Sequence, residues 1–343
     1  MKMFVALMVA PAWSLKVTWR PAAGRGALVQ PPRSGAVAVA AGEGRVLLFG
    51  GYAEDTSGAR KVVNDLWAFD ANSDEWTCLQ SDRAAGHSVP QPRLVSAAAL
   101  TSGGDSMLVF GGWDPQLPGT GGDILADVWS LKLATLEWTR CDPMPVGPTS
   151  RHVAVTVNGK LIVHTFRSES SVLVFDERRQ TLVEQPTSGP APSARGLHAA
   201  AAVGDQLVVF GGAAQAGEMF NDLFSLDTIS WRWERLRADG PGPTARAGAC
   251  AAAVGSTFIL ACGAERADDG LLPRSDVWSY DLETAGWERL INDNEGWLRP
   301  RNAATLTTLR SGGASGTGSE LLMQGGWAPF AETFNDGRIL RVS

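Results

Sequence analysis

Apolar residues along this chain fall in short unbroken runs rather than at helical spacing. Val46-Leu47-Leu48-Phe49 and Leu207-Val208-Val209-Phe210 are such runs, and each ends in Gly-Gly. An unbroken apolar run of four to eight residues between turn signals predicts a strand covered on both faces. A second pattern follows each run. It opens on an aspartate, passes through aromatic and aliphatic residues, turns on Asp, Asn, Ser or Thr, and ends at a tryptophan. The segments 64–76, 126–138, 221–233 and 275–287 all have this form. Asp65, Asp127, Asp222 and Asp276 are each followed eleven positions later by Trp76, Trp138, Trp233 and Trp287.

The two patterns belong to one longer unit, opened upstream by an arginine after a Pro/Gly/Ser-rich stretch and a run of small apolar residues. Four copies are clear. A third unit in chain order is weaker. Arg151 opens it, His164-Thr165 stands at the expected Gly-Gly, Ser171 replaces the aspartate and Leu182 the tryptophan. A sixth runs through Arg301, Gly325-Gly326 and Asp336 and stops before any tryptophan. The spacing between units varies in turn-rich segments, where insertions are tolerated.

Each unit predicts four strands: 36–41 and its counterparts, the run ending in Gly-Gly, the segment opening on aspartate, and a last strand beginning at the tryptophan. Sheets covered on both faces pack against one another. Radial packing around an axis hides all those faces, whereas a linear stack leaves two ends to be capped. The expected fold is therefore all-β: a six-bladed β-propeller of four-stranded antiparallel blades. Trp19 lies 14 residues before Arg33, as Trp287 lies 14 before Arg301. The N-terminal strand is thus predicted to supply the missing fourth strand of the last blade, closing the ring and removing an edge. Residues 13–343 form the propeller in this scheme, and residues 1–12 an apolar extension.

With its Gly-Gly after an apolar strand, aromatic third strand and tryptophan at fixed spacing, the chain resembles kelch-repeat proteins over essentially its whole length. The likeness is to the kelch-only type with six blades. These residues contain no BTB or F-box sequence, which points away from a ubiquitin-ligase adaptor role for this chain alone.

Composition narrows the partners. The 343 residues carry 44% hydrophobic and 19% charged residues and a net charge of -6. That balance supports a large core and offers no basic footprint for nucleic acid. No apolar run reaches the length of a membrane-spanning helix. The first residues, with Lys2, a short apolar run and Ala10-Pro11-Ala12, resemble a very short signal peptide. The expectation is cytoplasmic, with secretion the minority alternative. Cys78, Cys141, Cys250 and Cys262 lack metal-ligand spacing and are expected to be free thiols; Cys250 and Cys262 flank one predicted hairpin.

Candidate chemistry lies on the face where the loops between second and third strands converge. Arg33, Arg93, Arg151, Arg195, Arg246 and Arg301 open the six units. They either ring one mouth of the channel as a basic collar for an acidic segment, or tie down loop carbonyls and neighbouring carboxylates. Tyr52, Trp113, Trp327 and Phe330 follow the Gly-Gly positions and suit a protein-binding hot spot or an anchor for the loop. His87, His152, His164 and His198 show no metal-ligand spacing. An iron motif of related plant nitrile-specifier proteins would use Glu218 and Asp222, but Leu226 stands at its third position. No metal, cofactor or catalytic set is expected. The expected function is a non-catalytic scaffold binding another protein through one face. The alternative is an enzyme or small-ligand binder using the channel mouth, of which kelch-type sugar isomerases are the precedent.

Overall fold

The computed structural model describes residues 15–22, 30–83, 88–115, 121–237, 240–268, 270–290, 298–312, 318–329 and 331–343. It is an all-β ring of six four-stranded antiparallel blades. Blade I is built from Val37–Ala40, Arg45–Glu54, Arg60–Asp70 and Glu75–Gln80. Blade II follows with Ala97–Leu100, Ser106–Asp114, Asp123–Lys132 and Glu137–Cys141. Blade III runs from Val153–Val157 to Thr181–Pro186, blade IV from Ala199–Val203 to Arg232–Arg235, and blade V from Cys250–Val254 to Gly286–Arg289. Blade VI joins Thr305–Arg310, Ser319–Gln324 and Gly337–Val342 to the N-terminal strand Val17–Ala22. Trp19 faces Leu340 across that seam, as Trp76 faces Phe69 and Trp287 faces Tyr280. The innermost strands touch their neighbours around the full circle, with Thr305–Arg310 meeting Val37–Ala40.

The core is six wedges, each between two adjacent blades. Phe49 and Leu66 of blade I pack with Met107, Val109 and Leu131 of blade II. Val46 and Leu48 on the opposite face of blade I pack with Leu322 and Ile339 of blade VI. A single strand therefore buries both faces, which explains its unbroken apolar run. Each such Leu or Phe contributes about 1.5–3 kcal/mol by leaving water. The fourth-strand tryptophans fill the wide outer gap. Trp138 packs at a tilt on Phe49 of the preceding blade at 5.1 Å, and Trp287 meets Phe210 edge-on at 5.4 Å.

Gly-Gly is the latch between blades. The second glycine donates its amide to the next blade: Gly51 to the Arg93 carbonyl at 2.8 Å, Gly212 to Arg246 at 2.9 Å, Gly326 to Arg33 at 2.8 Å. At Gly111, φ is +47° and a Cβ would lie 2.4 Å from the Thr149 carbonyl oxygen, so only glycine fits. In blades I and II the strand does not end there as expected. A bulge at the first glycine lets pairing resume, so the hairpin rises above the mouth through Tyr52↔Val62 and Trp113↔Ile124.

Blade III departs from the expected alignment. Val153 pairs with His164 as Ala97 pairs with Phe110 and Ala199 with Phe210. His164 thus occupies the phenylalanine position, and Thr165-Phe166 stand where Gly-Gly stands elsewhere. Likewise the carbonyl receiving the Gly112 latch belongs to Thr149. Thr149, not Arg151, is the structural counterpart of Arg93 and Arg246. Arg151 sits two residues on, at φ +61°.

That later position matters in every blade. Gly35, Val95, Arg151, Leu197, Gly248 and Ala303 all have left-handed backbone, with φ from +46° to +66°. The amides of Val95, Arg151, Leu197, Gly248 and Ala303 each donate to the carbonyl of the preceding member at 2.8–2.9 Å. Gly35 donates to Ala303 at 3.0 Å and closes the circle.

Candidate functional site

Five of the six unit-opening arginines are buried to within 1% of complete exclusion. Each is consumed by its own blade. Arg33 donates Nη1 to Asp65 Oδ1 at 2.7 Å, Nη2 to Asp65 Oδ2 at 2.9 Å, and Nη1 again to the Gly50 carbonyl at 2.9 Å. Arg93 repeats this with Asp127 and Gly111, Arg195 with Asp222 and Gly211, Arg246 with Asp276 and Cys262, and Arg301 with Asp336 and Gly325. Indole N–H groups of Trp67, Trp129 and Trp278 donate to the same carboxylates at 2.6–2.7 Å. Phe220 and Phe334 cover the guanidinium faces of Arg195 and Arg301 at 4.2 and 4.1 Å.

Burial alone would raise the carboxyls of Asp127, Asp276 and Asp336. The ion pair and hydrogen bonds outweigh it and hold all three below the ordinary value. Of the two roles open to these arginines, five take the one that ties down loops and carboxylates. The basic collar reduces to one residue.

That residue is Arg151. Blade III holds Thr149 and Ser171 where its siblings hold the paired arginine and aspartate; Arg151 stands instead on the left-handed ring, exposed and with no ion-pair partner among the described residues. It lines a bowl of about 460 Å³ at the mouth of the channel. Below lies a throat of about 150 Å³ ringed by the left-handed residues, then an axial cavity of about 640 Å³ lined by small side chains such as Ala98, Ala200 and Ala251.

The bowl wall is apolar. Tyr52, Trp113 and Trp327 line it, half-buried, with Leu94, Leu197 and Met219 lower down and Leu271 on the overhanging hairpin Ala264–Ala267/Gly270–Pro273. Trp113 also anchors its own loop, donating Nε1 to the Gly121 carbonyl at 2.9 Å. Phe330 lies outside the described residues, as does His87. Arg60, Met219 and Leu271 are lining residues that sequence reasoning missed. The hairpin extension past Gly-Gly that carries Arg60 is visible only once the bulge is known.

The described residues of the bowl lining include no carboxylate, imidazole or thiol. The remaining histidines lie deeper. His164 Nδ1 and His198 Nε2 are 3.0 Å apart, and His164 meets Trp233 edge-on at 5.5 Å. His152 has no well-aligned hydrogen bond at either ring nitrogen, although the Ser150 and Phe110 backbones lie beside it. Burial pushes His152 down to about 4 and His164 to about 3, the latter also repelled by Arg195. Burial also holds His198 well below its ordinary value, with His164, Arg195 and His152 adding to it.

No group of three or more metal-ligating side chains converges among the described residues. Asp222 is committed to Arg195, and Leu226 beside it is buried, so no iron motif forms there. The four cysteines are free, with burial raising Cys262 to about 12 and Cys141 to about 11.

A closed six-bladed propeller with a largely apolar bowl at one mouth defines the class of protein as a circular repeat protein. Comparison with known proteins places it. A family model described as the KLHDC2/KLHL20/DRC7 Kelch-repeats domain matches residues 13–172 and 164–339, and the chain belongs to that Kelch-repeat family. Human Kelch domain-containing protein 3 is 29% identical over 232 residues, covering 63% of this chain and 57% of that protein. The chain thus spans little more than half the length of that relative. An Arabidopsis thaliana acyl-CoA-binding domain-containing protein 4 is 27% identical over 246 residues, 66% of this chain and 35% of its own length. The Arabidopsis thaliana serine/threonine-protein phosphatase BSL2 is 38% identical over 112 residues, 32% of this chain and 11% of its own length.

Proposed function

We propose that this protein is a non-catalytic interaction module whose bowl receives a short segment of a partner protein. The segment carries apolar side chains for the Tyr52–Trp113–Trp327 wall and one carboxylate for Arg151. The observation that carries this reading is the contrast among arginines. Five repeats neutralise their arginine internally; blade III has none at that position and presents Arg151 instead, from the left-handed ring and with no ion-pair partner among the described residues, to a largely apolar concavity. A guanidinium at the edge of an apolar concavity binds a carboxylate through its donor fork and leaves the neighbouring side chains to apolar contact. The carboxylate belongs to an acidic side chain or to a chain terminus.

An enzyme working in the same bowl would need a proton donor or acceptor matched to its reaction. The described lining offers two arginines, the Ser34, Tyr52 and Thr333 hydroxyls and the Asn302 amide, a set that favours recognition over catalysis. Proteins captured by the propeller are tiled as peptides, and their affinities measured by fluorescence polarisation. Arg151→Glu should weaken the bound peptides at least tenfold with unchanged thermal unfolding. Equal affinity for the variant would overturn the reading.

A further inference from the structure

The bowl has an uneven wall. Blades I and II raise long hairpins past the mouth, blade V adds its own, and blade VI adds Trp327–Ala328 paired with Glu332–Thr333. Blade IV raises a turn in which the Ala214 amide donates to the Glu218 carbonyl at 2.8 Å. In blade III only residues 167–170 separate Phe166 from Ser171, and the blade contributes Arg151 alone to the bowl. Among the described residues the rim is therefore lowest at blade III.

A second cation stands there. Arg167 is exposed, with its guanidinium over the Phe166 ring at 4.3 Å. Its Nη1 donates to Thr149 Oγ1 at 3.1 Å and towards the Pro148 carbonyl at 3.4 Å. It has no carboxylate partner among the described ion pairs; Glu169 on the same loop is exposed and not paired with it. Thr149 is two residues from Arg151, so the two unneutralised arginines follow one another from the bowl outward. Blade III holds Thr149 and Ser171 where its siblings hold the buried Arg–Asp pair.

Resting on the peptide-binding reading above, we infer that the bound polypeptide leaves the bowl across blade III, with an acidic residue of the partner over Arg167. Among the described residues the rim is lowest at blade III, and that exit is lined with positive charge. An acidic side chain meeting Arg167 keeps one face of the guanidinium on Phe166, which pre-orders the donor fork. Blade III thus reads two features of the ligand, the anchoring carboxylate and an acid a few residues away.

Panning a random peptide library displayed on phage against the wild type, Arg151→Glu and Arg167→Glu tests this. The wild type should enrich peptides with a fixed carboxylate anchor and a separate acidic position. Arg167→Glu should keep the anchor, lose the acidic preference and accept Lys or Arg there. Affinity for the acid-bearing peptide should fall about tenfold, and that of its acid-to-Ala analogue should not change. A wild-type motif without the second acidic position, or an identical motif from Arg167→Glu, overturns the exit route and leaves the bowl reading intact. No enriched motif, or one indifferent to Arg151→Glu, overturns both.

Discussion

The Gly35 amide donates to the Ala303 carbonyl at 3.0 Å, joining the first blade to the last on the axis. At the rim of the same seam, Trp19 faces Leu340. The two contacts close the ring at its centre and its edge. Trp19 is buried, so Trp19→Ala should cost about 3–5 kcal/mol. It should match Trp76→Ala, which sits at the equivalent place inside a continuous blade. Urea unfolding measures both, and a loss under about 1 kcal/mol for Trp19→Ala alone would show that the N-terminal strand is not part of the folded unit.

Asp222 leaves Arg195 without a counter-charge if it is made neutral. Breaking a buried pair by one partner costs about 3–5 kcal/mol, while replacing both by apolar residues is often much less costly. Asp222→Asn should therefore destabilise more than Arg195→Met with Asp222→Leu, as read by a chemical-denaturation cycle. A double replacement at least as damaging as the single one would mean that the Gly211 carbonyl, not the ion pair, is what Arg195 serves. By the same logic, charge reversal at Arg93 or Arg246 reports on folding, and of the six unit-opening arginines Arg151 is the one whose charge can be changed without breaking a buried pair.

Blade number, closure and strand order were legible because Gly-Gly and the aspartate-to-tryptophan spacing are backbone requirements, imposed by the latch and the outer gap. Blade III was misaligned because its landmarks are the ones replaced. Histidine stands for phenylalanine at 164, and the latch carbonyl is Thr149, so the nearest arginine was drawn into the wrong place. The fate of the arginines was harder to see. A repeated arginine looks the same whether it faces inward or outward. The signal lay in its partner: aspartate and arginine occur together in five units, and both are lost from blade III. The hairpins that raise Arg60 and Leu271 over the mouth depend on bulge and loop geometry, which composition does not encode.

Three neutral histidines are buried at blades III and IV, two of them held near 4 and 3. The unfolded chain takes up protons near 6.5 and the native one does not, so the unfolded state binds more protons in between. Stability should be level above about pH 6.5 and fall as pH drops towards 4, by about 1.4 kcal/mol per pH unit for each histidine. His164→Phe restores the residue type of Phe49, Phe110 and Phe210. It should make the variant relatively more stable at pH 5 than at pH 8. Urea unfolding at several pH values gives the slopes, and an unchanged slope would place the acid sensitivity elsewhere.

Arg151 carries strain as well as charge. Its φ of +61° costs a side-chain-bearing residue about 1–2 kcal/mol. Glycine would relieve this and return roughly 0.4–1 kcal/mol through the entropy of the unfolded chain. Arg151→Gly should therefore be as stable as the wild type or up to about 1.6 kcal/mol more stable, and should bind peptides at least tenfold more weakly. Arg151→Ala keeps the strain and loses the guanidinium, so its affinity should match that of Arg151→Gly while its stability does not. Calorimetry and fluorescence polarisation on the pair separate the two effects. If alanine bound normally and glycine did not, backbone shape rather than charge would be what the ligand reads at this position of the ring.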